Sequence, residues 1–176
     1  PYPSFTHARV EDIDAIHAWI GSIDAVENAT RDHDLDFPYG IRSLLNVWQS
    51  AFFEPGNLDA RPERDEVWHR GRYLVEGLGH CNECHRDRGT FGAVREATDA
   101  PGGMIHGWYA PSLNSPAEAG LQDWSTADAA DLLRSGEAAG HVMTGPMAGV
   151  VHDSLQYLRA EDARAMADYL RSLPSE

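Results

Sequence analysis

The chain has 176 residues, of which 42% are hydrophobic and five are tryptophan, enough apolar material for one folded domain plus an extension. It carries 28 acidic and 14 basic residues, a formal net charge of −14, and every basic residue is an arginine. Nucleic acid is a poor partner for so acidic a chain, because phosphate binding needs a basic surface. No apolar run approaches the length of a membrane span, and no signal peptide is visible.

Two amphipathic helices are predicted in the first third of the chain. Apolar residues recur at helical spacing in "RVEDIDAIHAWIGSI" from residue 9 and in "IRSLLNVWQSAFF" from residue 41. Polar, turn-rich connectors follow each of them. We expect the second helix to bury Leu44, Leu45, Trp48 and Phe52 against the following domain or a missing neighbour. If the chain is a fragment of a longer subunit, apolar side chains of residues 1–55 are expected to be exposed.

Helices are also predicted through the rest of the chain. "VWHRGRYLVEGLG" leads into a cysteine motif, and a long glycine-rich stretch follows it. "WSTADAADLLRSG" carries Ser125 and Asp128 at the spacing of a capping box, and "RAEDARAMADYLRSL" places Met166 and Tyr169 on one helical face. Strand-like alternation is scarce, and "EDIDAIHAWI" resembles "EDARAMADYL". These patterns predict a mainly helical protein.

The segment "GHCNECHRDRG", residues 79–89, contains both cysteines of the chain. Its core, C-x-x-C-H, is the attachment sequence of a c-type haem. Two thiols at this spacing can reach the two vinyl groups of one porphyrin, and the adjacent histidine is delivered to the iron. The motif therefore predicts thioethers at Cys81 and Cys84 and an axial ligand at His85.

Three other interpretations compete for these cysteines. A thioredoxin-like redox pair requires a βαβ setting, which the pattern does not indicate. A structural zinc site requires a second pair of ligands, and no further cysteine exists in the chain. A disulfide between residues so close in sequence closes a tiny loop and stabilises little.

The four methionines of the chain are the candidates for a second axial ligand. Met166 lies on the inward face of the last helix and is expected to pack in the core, and Met104 follows His85 closely. Met143 and Met147 lie in "HVMTGPMAGVV", predicted to be a loop just before the last helix. A methionine thioether is the usual electron-transfer ligand. The alternative is a haem protein with an open distal site, peroxidase-like or gas-binding.

Residues from about 66 to 176 resemble a class I cytochrome c domain. They are most similar to the multi-haem cytochrome c subunit that accompanies bacterial membrane-bound alcohol, gluconate and related sugar or aldehyde dehydrogenases. The matching text is "GRYLVEGLGHCNECH", "GWYAPSLN", "GPM" at 145–147, and "HDSLQYL" with "ADYLRSL" after it.

The resemblance implies an all-α class I cytochrome c fold with an N-terminal helical extension and one haem c bound through both cysteines. It also implies that Gly71 and Tyr73 pack the first helix of the domain against Tyr169. Its implied cofactor contacts are the proximal ligand His85, the distal ligand Met147, Pro111 near the proximal histidine, and Arg88 at a haem propionate.

The resemblance divides the chain into three parts. Residues 1–29 are similar to the end of a preceding haem domain, beginning just after its axial Met-Pro. Residues 30–65 form a linker with one helix, and residues 66–176 form the c-type haem domain. Since no C-x-x-C-H precedes residue 66, we expect either a fragment of a longer subunit or a relic of a lost domain. The alternative is an N-terminal extension peculiar to this protein.

The expected function is electron transfer and not catalysis. The electron donor implied is a flavin-, quinone- or molybdenum-type dehydrogenase, and the acceptor is a cytochrome, a quinone or an oxidase. The expected location is the periplasm or the periplasmic face of the inner membrane, possibly within a membrane-associated complex. No nucleic acid is expected among the partners.

Overall fold

The computed structural model describes residues 2–95, 101–105 and 107–174, and over these residues the chain is mainly helical. Helices form the core, so the predicted all-α class is confirmed in part, and two short antiparallel hairpins were not predicted. The hairpins pair β1 (Gly103–Ile105) with β2 (Trp108–Ala110) and β3 (Glu137–Ala138) with β4 (His141–Val142). The α-helices are α1 (Val10–Gly21), α2 (Ser43–Phe52), α3 (Glu66–Arg72), α4 (Asn82–His85), α5 (Thr126–Ser135), α6 (Gly145–Asp153) and α7 (Ala160–Arg171).

The core is built on the crossing of α3 and α7. At Gly71 the two backbones lie so close that a methyl group would overlap the carbonyl oxygen of Ala165 and lie 2.9 Å from Cβ of Tyr169. The ring of Trp68 meets that of Tyr169 edge to face at 5.2 Å. Tyr73 and Met166 are buried in the same cluster. The contact of Gly71 with Tyr169 and the core position of Met166 are as the sequence predicts.

We expect Gly71→Ala to destabilise the protein by about 3 kcal/mol, because the added methyl group forces two buried backbones apart. Urea denaturation of the purified protein measures this change. Gly149→Ala is the matched control, since Gly149 is also helical and its Cβ would meet nothing within 4 Å beyond its own helix. The control is expected to be neutral or stabilising by up to ~1 kcal/mol. Equal stability of the two variants would contradict the close approach.

An ion pair joins the same two helices. The guanidinium of Arg70 donates to both carboxylate oxygens of Asp162, at 2.7 and 3.0 Å. This hydrogen bonding holds the pKa of Asp162 below its ordinary value, and partial burial opposes the shift. The carboxylate is therefore more stable in the folded chain than in the unfolded one.

We expect Asp162→Asn to lower the free energy of unfolding by about 1 kcal/mol at neutral pH. Because the folded-state pKa of Asp162 is lowered, its contribution is present above about pH 4 and is lost as the pH falls through that pKa. Denaturation curves of both proteins should therefore converge at acid pH. Asp14→Asn, at an exposed carboxylate on α1, should lie close to the wild type at neutral pH. A gap between Asp162→Asn and wild type that persists undiminished in acid would contradict the ion-pair origin.

A π-helical segment, Tyr73–Leu78, continues α3 and sets the position of the cysteine motif. The backbone N–H of Gly79 donates to the carbonyl of Leu74 at 2.7 Å, and that of Cys81 donates to Val75 at 3.0 Å. Wide turns of this kind are common at functional sites. Here they place Cys81 directly against the end of the core helix.

The N-terminal part lies against the motif but leaves much apolar surface exposed. A 3₁₀ turn, Ser4–His7, contacts the π-helical segment, and α1 buries none of its residues. In α2, Trp48 is partly buried and its indole N–H donates to the carbonyl of Phe91 at 2.9 Å. Leu44, Leu45 and Phe52 remain 44–48% exposed. The following domain therefore does not cover these three side chains, and burial against a missing neighbour, the other predicted cover, stays a prediction.

Candidate functional site

Cys81 is the N-cap residue of the short helix α4, and Cys84 lies within that helix. Both are free thiols and both are partly buried. Burial raises the pKa of Cys81 to about 12. A reactive redox pair needs a lowered thiol pKa, so this environment does not favour the thioredoxin-like alternative. Among the described residues, no three His, Cys, Asp or Glu side chains form a group that could hold a metal ion.

His85, the last residue of α4, is held through one ring nitrogen. Its Nδ1 lies 2.8 Å from the carbonyl oxygen of Pro111. A carbonyl oxygen can only accept, so Nδ1 carries the hydrogen and Nε2 keeps its lone pair. Burial lowers the pKa of His85, and the hydrogen bond to Pro111 opposes this. The arrangement favours a neutral imidazole with Nε2 available to a metal.

The β1–β2 hairpin places Pro111 beside His85. At Gly103, in β1, a side chain would lie 2.5 Å from the carbonyl oxygen of Arg86 and 2.7 Å from that of Cys84. Glycine therefore lets the strand lie directly on the cysteine motif. The second strand ends at Ala110, and Pro111 follows it. The resemblance implies that Pro111 lies near His85, and the structure places the two residues in contact.

The same hairpin contacts the beginning of α6. Gly145 has φ +58°, and a side chain there would lie 2.6 Å from the ring of Trp108. Met147 stands two residues further on, in the first turn of α6. The loop predicted across "HVMTGPMAGVV", residues 141–151, is thus wrong at β4 and again from Gly145 onward. Pro146 suits the first turn of a helix, where its missing N–H costs nothing. Trp108 thus connects the hairpin that leads to Pro111 with the start of α6. No pattern in the sequence predicts this contact.

The structure separates the four methionines into three environments. Met104 is 67% exposed in β1, whereas Met166 is 2% exposed in the core. Met143 and Met147 are both partly buried and both pack against the core cluster. The two candidates for the distal ligand therefore have similar surroundings, and Met147 stays a prediction.

Arg88 is held by the cysteine motif itself. Its guanidinium donates to the side chain of Glu83 at 2.7 Å and to the carbonyl oxygen of Gly92 at 2.7 Å. Glu83, which stands between the two cysteines, is buried and also accepts from the hydroxyl of Ser4 at 3.2 Å. Sequence reasoning missed Glu83, although an acid five residues before an arginine was a visible signal. Propionate binding by Arg88 is a prediction that these contacts do not test.

The residues brought together fit a covalently bound haem. Two thiols lie one helical turn apart, and the adjacent imidazole has its orientation and tautomer fixed by a backbone carbonyl. The partly buried methionines follow, Met143 just before α6 and Met147 in its first turn, and α6 begins against the same hairpin. Soft sulfur and imidazole donors are the ligands that iron in a porphyrin takes in electron carriers.

Comparison with known proteins agrees with a site for covalently bound haem. A family model described as cytochrome c matches residues 69–174. The chain is 36% identical over 178 residues to one of the subunits of nicotinate dehydrogenase from Pseudomonas putida, covering 100% of this chain and 15% of that protein. It is 37% identical to the cytochrome c subunit of a quinone-type alcohol dehydrogenase of Gluconobacter oxydans, covering 99% of this chain and 38% of the relative. A diheme cytochrome c-type protein of Cereibacter sphaeroides is 36% identical, covering 99% and 58%.

Proposed function

Because this chain belongs to the cytochrome c family, we propose that it is an electron carrier with one covalently attached haem c, serving a dehydrogenase. The observation that carries the proposal is the hydrogen bond from Nδ1 of His85 to Pro111, directly after two free thiols. That bond prepares a neutral imidazole for iron. The expected fold of this unit is the class I cytochrome c arrangement.

Each of the proposed site residues has a separate role. The bound haem supplies an iron that cycles between the ferrous and ferric states. Cys81 and Cys84 hold the porphyrin by thioethers, and His85 presents Nε2 as the proximal ligand. Met147 provides the distal thioether, and Pro111 fixes the tautomer of His85. Arg88, held by Glu83, is proposed to face a propionate with the part of its guanidinium that remains accessible.

The partners are proposed from the relatives. Since nicotinate and alcohol dehydrogenases include subunits similar to this chain, the electron donor is a dehydrogenase of flavin, quinone or molybdenum type. The acceptor is a cytochrome, a quinone or an oxidase, and the location is the periplasm. In the described part of the chain, no helix is both long and apolar enough to cross a membrane.

The division of the chain is part of the proposal. Residues 66–176 form the haem domain, residues 30–65 the linker, and residues 1–29 the closing segment of another haem domain. The chain spans less than two thirds of each relative described above, and one of them is named as diheme. We therefore propose that the natural protein carries at least the one haem for which this chain has a C-x-x-C-H motif.

Visible spectroscopy of the protein matured with haem tests the proposal against an open distal site. We expect the oxidised protein to show the far-red band of methionine–iron bonding, and the reduced protein to bind carbon monoxide slowly or not at all. Rapid carbon monoxide binding without the far-red band would favour the peroxidase-like or gas-binding alternative. A purified protein without colour would overturn the cytochrome proposal altogether.

A further inference from the structure

One charged side chain is buried in the described part of the chain, and it lies inside the cysteine motif. Glu83, between Cys81 and Cys84, is 9% exposed. Withdrawing a carboxylate from water costs free energy unless other groups replace its hydration. The remaining buried polar residues of the described chain are uncharged: Ser4, Ser112 and Asn114. A charge is therefore kept at the one buried position that lies between the two thiols.

Both oxygens of the Glu83 carboxylate have a partner. Oε2 accepts from the guanidinium of Arg88 at 2.7 Å. Oε1 accepts from the hydroxyl of Ser4, which belongs to the 3₁₀ turn near the N-terminus, at 3.2 Å. Phe5 of the same turn meets the ring of His80 edge to face, with the ring centroids 5.6 Å apart. Two parts of the chain that are distant in sequence thus hold one carboxylate in a fixed place.

Arg88 has further contacts that do not involve this carboxylate. Its guanidinium also donates to two backbone carbonyl oxygens, that of Gly92 at 2.7 Å and that of Glu83 at 2.9 Å. Its backbone pairs with that of Val94 in an antiparallel bridge. These contacts use only the backbone of residue 83, so they are compatible with another side chain there. What the Glu83 side chain adds to them is a negative charge.

Stability is a weak reason for keeping this ion pair. The cost of desolvating two charges can exceed their mutual attraction, and neutral residues of similar volume are often tolerated equally well. The side chains of Glu83 and Arg88 are 11% and 38% exposed, so water and salt screen the carboxylate less than they screen a surface charge. A weakly screened charge acts strongly on other charges nearby.

We propose that Glu83 is a fixed negative charge that lowers the reduction potential of a haem attached on both sides of it. The proposal rests on the proposed function, in which Cys81 and Cys84 both carry the porphyrin. Ferric iron bears one positive charge more than ferrous iron, so a carboxylate nearby stabilises the ferric state. Arg88 acts in the opposite direction. The potential therefore depends on the balance of the two charges.

Glu83→Gln tests the charge at nearly constant size. We expect the equilibrium constant for reduction to rise at least about threefold, which is about 28 mV for a one-electron couple. Optical redox titration of the haem-loaded chain measures this change. Glu161→Gln is the matched control, because Glu161 also pairs with an arginine, Arg159, but the two side chains are 63% and 79% exposed. The control should leave the potential in place, and an equally unmoved Glu83→Gln would overturn the proposal.

Arg88 provides a second arm of the test. Arg88→Gln removes the positive partner and should lower the potential, opposite in sign to Glu83→Gln. Replacing both residues by glutamine leaves the net charge unchanged and no buried charge unpaired, so the double variant should fold and have a potential near that of the wild type. Should Glu83→Gln alone fail to fold, the double variant must still have a higher potential than Arg88→Gln. A double variant with a potential no higher than that of Arg88→Gln would overturn the proposal.

Two further measurements distinguish a failure of this proposal from a failure of the proposed function. The pyridine haemochrome spectrum shows for each variant whether both thioethers are present, and urea denaturation shows whether stability has changed. A loss of stability in Glu83→Gln with both thioethers present and the potential unmoved would make Glu83 a structural residue and overturn its electrostatic role alone. A wild-type chain that carries no covalent haem would overturn the electron-carrier proposal, and this one with it.

Discussion

Replacing Cys81 and Cys84 together by alanine is expected to remove covalent haem from the chain. No other cysteine exists to form a thioether, so any porphyrin retained would be held by axial ligands alone. Mass spectrometry of the unfolded, purified protein should then give the mass of the polypeptide without haem. The same preparation of the unaltered protein should carry the added mass of one haem.

The single variants make the test quantitative. Cys84→Ala and Cys81→Ala should each leave one thioether or lose the haem, since each thiol has its own vinyl partner. The reduced pyridine haemochrome spectrum distinguishes one remaining thioether from two. His152→Ala is a suitable control, because His152 is exposed and lies outside the site. A double cysteine variant that keeps covalent haem would defeat the attachment assignment.

Met147→Ala is expected to abolish the far-red band of the oxidised protein and to lower the reduction potential by on the order of 0.1 V or more. A thioether stabilises ferrous iron, and water or histidine in its place does not. Met147 has the stronger case because it follows Pro146 within the "GPM" match and stands in the first turn of α6, two residues after Gly145. Optical redox titration measures both effects on one sample.

Met143→Ala is the matched control for this ligand. Met143 has the same side chain, is also partly buried, and lies four residues earlier in the same region. We expect its replacement to leave the far-red band in place and to move the potential little. If the two variants behave in the opposite way, Met143 is the distal ligand and the cytochrome assignment stands. If neither variant loses the band, both methionines are excluded.

Local patterns were sufficient to predict α1, α2, α5 and α7 and the chemistry of the cysteine motif. The apolar spacing of α1, α2 and α7 and the cap at Ser125 depend on residues within a few positions of each other, and all four are present. The hydroxyl of Ser125 accepts from the N–H of Asp128 at 3.0 Å, as the capping box requires. A C-x-x-C-H motif is equally local, so its chemistry could be inferred before its surroundings were known.

Features that depend on distant contacts were not predicted. The β1–β2 hairpin is stabilised by lying on the cysteine motif, and its three-residue strands are too short for a pattern. The helix α6 was missed because the glycine and proline at its start suggest a loop, whereas Trp108 contacts that start from another part of the chain. The contact of Glu83 with Ser4 joins residues 79 positions apart, and no local pattern predicts such a contact.

The hydrogen bond from His85 to Pro111 joins residues 26 positions apart in the chain. Opening of the intervening segment would remove the acceptor from Nδ1, and the imidazole would then donate less electron density through Nε2. Opening of this segment would therefore be thermodynamically linked to the strength with which Nε2 of His85 donates to a metal. If His85 binds iron as proposed, a sequence change that loosens the hairpin would alter the electron affinity of that iron while the crossing of α3 and α7 stays intact. With His85 as the proposed iron ligand, the stability of the contact between His85 and Pro111 would contribute to the reduction potential.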